Sequence, residues 1–174
     1  MREHSLSFLI YIFKKRIMKL KQILHETYGD YKECSMLLIA DNCINKCEGC
    51  HNQHLLQLES KIFPDEEIIK RFVENPLSKA IIFGGLEPMD QAEEVEKFIF
   101  TAINMGIACP IIIYTSYNPL SYVFRCSNVM EAIKQYLGKV IIKHGPYKKD
   151  LKPVFNEDLG VTLASSNQYT IVYE

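Results

Sequence analysis

The stretch Cys34-Ser35-Met36-Leu37-Leu38-Ile39-Ala40-Asp41-Asn42-Cys43-Ile44-Asn45-Lys46-Cys47-Glu48-Gly49-Cys50 decides how this chain is to be read. Its first seven residues are a short apolar run, of the length and composition of a buried strand. The run ends at Asp41-Asn42, and three cysteines follow within eight residues. A strand that opens directly onto a cluster of thiols places reactive groups at a strand end, where α/β folds hold their ligands.

Outward from this stretch, strands and helices alternate. Pro64-Asp65-Glu66-Glu67 opens a helix, with proline at an early position and acids at the positive end of the helix dipole. The helix runs through Ile68, Ile69, Phe72 and Val73 and stops near Asn75-Pro76. Lys79-Ala80-Ile81-Ile82-Phe83 reads as a second buried strand closed by Gly84-Gly85. Residues 91–105 form an amphipathic helix, with Val95, Phe98, Ile99, Ala102 and Ile103 on one side and Gly106 as its stop. Ile111–Tyr114 is a third strand; a helical segment over 129–137 leads to a fourth, Val140–Ile142, and Tyr169–Tyr173 supplies one more. Such alternation implies βαβ units, a mostly parallel sheet and an α/β fold. Cys43–Cys50 and Gly84–Pro88 each follow a strand, so both are expected at the same end of the sheet.

Three thiolates on one loop are suited to three corners of a cubane iron–sulfur cluster, leaving the fourth iron without a protein ligand. An open metal position is where a substrate binds. The competing reading is a structural zinc site with His51 or His54 as fourth ligand. Zinc sites usually pair two ligand-bearing segments, and no second cysteine or histidine pair follows downstream. A closed ferredoxin-type cluster would need a fourth cysteine in a recognisable spacing. Chance clustering of structural cysteines is the weakest of these options. Cys34, Cys109 and Cys126 are scattered and read as buried apolar fillers.

Composition narrows the field further. The 174 residues suit one domain, and a net charge of −1 sets general nucleic-acid binding at a disadvantage. Six cysteines in a chain this rich in core residues do not suggest a disulfide-stapled secreted scaffold, and a cytoplasmic location is expected. The apolar run Ser5–Phe13, followed by Lys14-Lys15-Arg16, is about half the ~20 residues of a membrane span. It lacks the charge order of a secretory signal; an amphipathic membrane-surface segment is the alternative to a mis-assigned start, and no membrane partner is expected. Residues 1–17 read as an N-terminal extension from a mis-assigned start ahead of Met18, with a single domain over 18–174.

The pattern Cys-x3-Cys-x2-Cys, with Gly84-Gly85-Leu86-Glu87-Pro88 after the next strand, resembles the radical S-adenosylmethionine superfamily. The usual second motif is Gly-Gly-Glu-Pro; here Leu86 stands before the acid. The resemblance implies a partial (β/α) barrel, with the cluster loop after the first core strand. It implies a [4Fe-4S] cluster on Cys43, Cys47 and Cys50 and S-adenosylmethionine as the second cofactor, contacted by Gly49, His51, Asn52, Gly84, Gly85, Glu87 and Thr115. Three further segments are similar to the activating enzymes of anaerobic ribonucleotide reductases: Cys50-His51-Asn52, Gly145-Pro146-Tyr147, and Ser165-Ser166-Asn167-Gln168. This branch implies an oxidoreductase that installs a glycyl radical on the large subunit of anaerobic ribonucleoside-triphosphate reductase. A flavodoxin- or ferredoxin-like protein would be its electron donor. The alternatives are the activase of another glycyl-radical enzyme, a small-molecule radical enzyme, or a zinc-binding interaction module.

Overall fold

The computed structural model describes residues 17–174; the expectation for residues 1–17 therefore lies outside it, save that Ile17 begins the first strand. The strands are β1 (Ile17–Thr27), β2 (Ser35–Ala40), β3 (Lys61–Pro64), β4 (Ala80–Gly84), β5 (Ile111–Tyr114), β6 (Val140–His144), β7 (Val154–Asn156), β8 (Val161–Leu163) and β9 (Tyr169–Tyr173). The helices are α1 (Asp65–Glu74), α2 (Ala92–Asn104), α3 (Tyr122–Cys126) and α4 (Val129–Gln135). Short 3-10 turns occupy Gln53–Gln57 and Pro88–Gln91.

One seven-stranded sheet carries the fold, in the order β3-β1-β2-β4-β5-β6-β9. The apolar runs β2, β4, β5 and β6 lie side by side and parallel. Antiparallel strands flank them: β1 pairs with β2, β3 with β1, and β9 with β6. Because β3 opposes β1, which opposes β2, five of the seven strands run the same way. A separate hairpin, β7–β8, forms the second sheet.

Several elements depart from the sequence expectation. The strand before the cysteine loop is β2, not the first core strand, because β1 packs beside it and buries Met18 and Leu20 completely. Pro64 ends β3 rather than entering the helix; α1 begins at Asp65, with Asp65, Glu66 and Glu67 in its first turn. Cys126, expected as a buried filler, is exposed at the end of α3, and Cys34 and Cys109 are only partly buried. The end of α2 matches expectation: Gly106 N–H donates to Ile103 and Ile107 N–H to Ala102, closing the helix in a Schellman pattern.

The two-residue period of a strand sorts the central side chains onto two faces. On one, Met36, Leu38, Ile81, Phe83, Ile113 and Ile142 meet the apolar sides of all four helices, including Ile68 and Phe72 of α1 and Phe98 of α2. Phe83 and Phe98 pack edge to face there, 5.1 Å between centroids. On the other face Leu37, Ile39, Ile82, Ile112 and Ile141 share a smaller core with Leu86, Leu159 and Leu163. Among the described residues no α-helix packs on that face, and its upper part opens into a cavity. Among the described residues no helix is long and apolar enough to cross a membrane.

Candidate metal centre

A cavity of about 880 Å³ lies over the carboxyl ends of β2, β4, β5 and β6. Its floor is apolar, built from Leu37, Ile39 and Ile82, and its rim comes from the loops that follow the strands. The volume lies within the range of roughly 300–1,000 Å³ usual for small-molecule sites. Cys43, Cys47 and Cys50 all line it, as do His51, Asn52, Gly84, Gly85, Glu87 and Thr115. Gly49 is not part of the lining; it turns the loop between Cys47 and Cys50, beside Tyr147 and Lys149.

The cysteine loop leaves β2 at Asp41, whose carboxylate pairs with Lys19 of β1 at 3.0 Å. It returns through the 3-10 turn at Gln53–Gln57. Within it, Cys50 N–H donates to the Cys47 carbonyl at 3.3 Å, and the Gln53 side-chain amide donates to the same carbonyl at 3.2 Å. The Glu48 carboxylate is ion-paired with Lys149, tying the loop to the segment after β6. His54 sits outside the cavity lining, its Nδ1 2.8 Å from the His51 carbonyl.

Two acids of the Gly84–Gln91 segment hold the cysteine loop against the sheet. Glu87 is 3% exposed and its carboxylate is surrounded by donors. Oε1 accepts from Thr115 Oγ1 at 2.6 Å and Met89 N at 3.1 Å. Oε2 accepts from Ser116 N at 2.8 Å, Ser116 Oγ at 2.7 Å and Asn45 Nδ2 at 3.3 Å. A carboxylate offers about four lone-pair sites, so the protein itself fills them. Burial raises the Glu87 pKa above the usual carboxylate range, opposed by these hydrogen bonds. Asp90 does similar work one turn on: Oδ2 accepts from Ile44 N at 2.9 Å and Oδ1 from the Tyr117 hydroxyl at 2.9 Å. Asn42, ahead of the first cysteine, accepts from Glu87 N–H at 3.0 Å. Residues 42–45 are thus fixed by contacts from the ends of β4 and β5.

The extra residue in the glycine motif is absorbed locally. Gly85 has φ +73°, and a Cβ there would sit 3.0 Å from Ile39 Cγ2, in a backbone conformation that side-chain-bearing residues rarely adopt. Leu86 N–H then donates to the Gly84 carbonyl at 2.8 Å, and the Leu86 side chain is buried on the cavity side of the sheet. The insertion therefore becomes a tight turn that leaves the backbone at Gly84 and Gly85 bare toward the cavity.

The two late motifs, separated in sequence, form one unit. Asn167 Nδ2 donates to the Pro146 carbonyl at 2.8 Å and Gln168 Nε2 to the Gly145 carbonyl at 3.3 Å. Ser165 Oγ accepts from Lys148 N–H at 3.2 Å. Gly145 is required for the approach: at φ +107°, its Cβ would come 2.8 Å from the Asn167 carbonyl oxygen. Gly145, Tyr147 and Gln168 all reach the cavity wall.

Other residues of the site were not singled out from sequence. Asn45, Asp90, Ser116 and Tyr117 act through hydrogen bonds that only the fold brings together. Lys143 had a legible signal, a lysine continuing the apolar run Val140–Ile142. It lines the cavity at 8% exposure, and burial lowers its pKa to about 8, opposed by the negative charges of Glu87 and Cys47.

The donor set suits an iron–sulfur cluster. All three cysteines are free thiols and partly buried, on one loop, facing one cavity with space beside them. Burial pushes the Cys43 thiol up, and Glu87, Asp90 and Cys47 add to it against the Asn45 backbone N–H. A thiolate here is therefore favoured by a cation at its side. Among the described residues no three His, Cys, Asp or Glu side chains gather tightly enough to hold a single metal ion; a cubane takes its thiolates at separate corners. The model of the family described as 4Fe-4S single cluster domain matches residues 31–170. No curated protein matches the chain.

Proposed function

Because the chain belongs to the 4Fe-4S single cluster domain family, we propose that it is a radical S-adenosylmethionine enzyme whose cluster is held by Cys43, Cys47 and Cys50. The observation that carries this reading is the meeting of two motifs in one cavity. The three-cysteine loop after β2 and the glycine turn after β4 both line it, and Glu87, Asp90 and Asn42 join them. Three protein thiolates leave one iron open, and when bound the cluster supplies the single electron that cleaves S-adenosylmethionine to methionine and a 5′-deoxyadenosyl radical.

The protein's own part is to place and shield. Gly84 and Gly85 let backbone approach the ligand closely. Leu37, Ile39 and Ile82 give a dry floor, which protects a reactive radical from water. Thr115, His51 and Asn52 lie on the wall where the nucleoside or methionine part would rest. The partial-barrel reading is supported by strand order: β2, β4, β5 and β6 follow one another without a switch point. All four helices lie on one face and the cavity on the other, as in a segment of a (β/α) barrel.

The finer reading is an activase for anaerobic ribonucleoside-triphosphate reductase. It is supported by the interlocked Gly145–Tyr147 and Ser165–Gln168 segments at the cavity wall, both similar to that branch. The balanced reaction takes one electron from a flavodoxin- or ferredoxin-like donor and one hydrogen atom from a glycine α-carbon of the reductase. It yields methionine, 5′-deoxyadenosine and a glycyl radical. Incubation of the reduced protein with S-adenosylmethionine and the reductase large subunit should give a glycyl doublet in electron paramagnetic resonance. Cofactor cleavage with no doublet would reject the activase assignment and leave the radical chemistry with another substrate.

A further inference from the structure

The outer side of the cysteine loop carries a charge pattern that the reading above does not use. The cavity lies on one side of this loop; on the other, Glu48 and Gly49 are exposed between the partly buried Cys47 and Cys50. The loop is thin at this point. Gly49 has no side chain, and a Cβ there would meet only Lys149 Cβ at 3.8 Å and Tyr147 Cε1 at 3.9 Å. Both neighbours belong to the segment after β6, which turns where Leu151 N–H donates to the Lys148 carbonyl at 3.2 Å. Loop tip and turn enclose a surface pocket of about 300 Å³, lined by Glu48, Tyr147, Lys148, Lys149, Asp150 and Leu151. Tyr147 also lines the main cavity, so its ring is a wall common to the outer pocket and the cluster's side.

Although the chain has a net charge of −1, lysines collect on this face. Lys46, Lys148, Lys149 and Lys152 are all exposed. The acids on the two segments, 43–50 and 145–153, are Glu48 and Asp150. Glu48 pairs with Lys149; among the described residues Lys46, Lys148 and Lys152 have no ion pair. Exposed lysines spread over a face do not build a closed site for a small anion. They give a field that steers a macromolecule of opposite charge. A small charged face suits a short-lived encounter, the class to which electron-transfer complexes belong.

We propose that this face docks an acidic protein carrying a one-electron cofactor, and that the electron enters the cluster past Gly49 and Tyr147. The proposal rests on the cluster reading and deepens it by naming the donor's surface and its charge. The donor's cofactor is oxidised by one electron, the cluster is reduced by one, and no atom is transferred. The loop then has two working sides, with electron entry outside and the ligand in the cavity.

The test is anaerobic stopped-flow absorbance of cluster reduction in the reconstituted protein, with no S-adenosylmethionine present. Flavodoxin hydroquinone is the acidic protein probe, and photoreduced 5-deazariboflavin the small uncharged one. Wild type is compared with Lys148→Glu/Lys152→Glu and with Lys70→Glu/Lys134→Glu. The second pair makes the same change in net charge on α1 and α4, on the helical face of the sheet. All four side chains are exposed, so fold and cluster content should be unchanged. For Lys148→Glu/Lys152→Glu, reduction by flavodoxin should slow by about tenfold or more at low salt, the gap closing as salt screens the charges. Its reduction by deazariboflavin should stay within about twofold of wild type, and the control pair within about threefold with either reductant. An unchanged rate with flavodoxin would overturn the assignment. So would equal slowing with both reductants, or the same slowing in the control pair. These outcomes do not depend on which ligand fills the cavity; a wild-type protein that holds no cluster would overturn the cluster reading and this proposal together.

Discussion

Replacing Cys47 by alanine is expected to abolish both the iron–sulfur chromophore and S-adenosylmethionine cleavage. Cys47 is the middle of three thiols that line one cavity, and a cluster held by three protein ligands has none in reserve. Its loop position is set by backbone contacts that do not involve the thiol: its carbonyl accepts from Cys50 N–H and from Gln53. The fold should therefore survive the change while the metal site does not. Far-ultraviolet circular dichroism should match wild type, while absorbance near the thiolate–iron bands and iron content should collapse. Cys126→Ala is the control, since Cys126 is exposed and outside the cavity lining. Retention of cluster and cleavage by Cys47→Ala would contradict the ligand assignment.

Glu87→Ala should be the most damaging change outside the three cysteines. The substitution leaves five donors around Glu87 without their acceptor, in a site 3% exposed. Unsatisfied buried groups cost roughly 1–3 kcal/mol each, and some of these hydroxyls will find other partners, so a loss of about 3–5 kcal/mol is expected. Urea denaturation measures it. The same substitution leaves the Asn45 amide with only its bond to Ser116 Oγ, so the cysteine loop is held less firmly and cluster occupancy after reconstitution should fall with stability. Glu87→Gln keeps one oxygen acceptor and should lie between. A Glu87→Ala protein with wild-type stability would show that the carboxylate does not hold the loops together.

Much of the central architecture was legible because buried parallel strands are written as unbroken apolar runs. Met36–Ala40, Ile81–Phe83, Ile111–Ile113 and Val140–Ile142 each appear as such, and each became a strand of the middle of the sheet. The two motifs placed at one strand end by this reading do meet there. The antiparallel flanks were not legible. β1 buries only Met18 and Leu20 fully, with Lys19 between them and Lys21 after them, so its alternation is too brief to distinguish from a polar terminus. β3 is four residues long with none fully buried, and the β7–β8 strands are three residues each, with Leu163 their one buried residue. Their existence depends on neighbours rather than on local composition. Within the site, the cysteines were legible because thiol clustering is rare in sequence. Asn45, Asp90 and Ser116 were not, since their side-chain hydrogen bonds span 27 to 71 residues. Glu87 was legible as a motif residue but not as the hub of the loops, a role visible only once Thr115 and Ser116 lie beside it.

The account stands most directly on one measurement: anaerobic reconstitution with iron and sulfide, metal analysis, then reduction in the presence of S-adenosylmethionine and chromatography for 5′-deoxyadenosine. About four iron and four sulfide per chain are expected, with 5′-deoxyadenosine and methionine formed only after reduction. About one zinc and no sulfide per chain, or a full cluster that never yields 5′-deoxyadenosine, would contradict it.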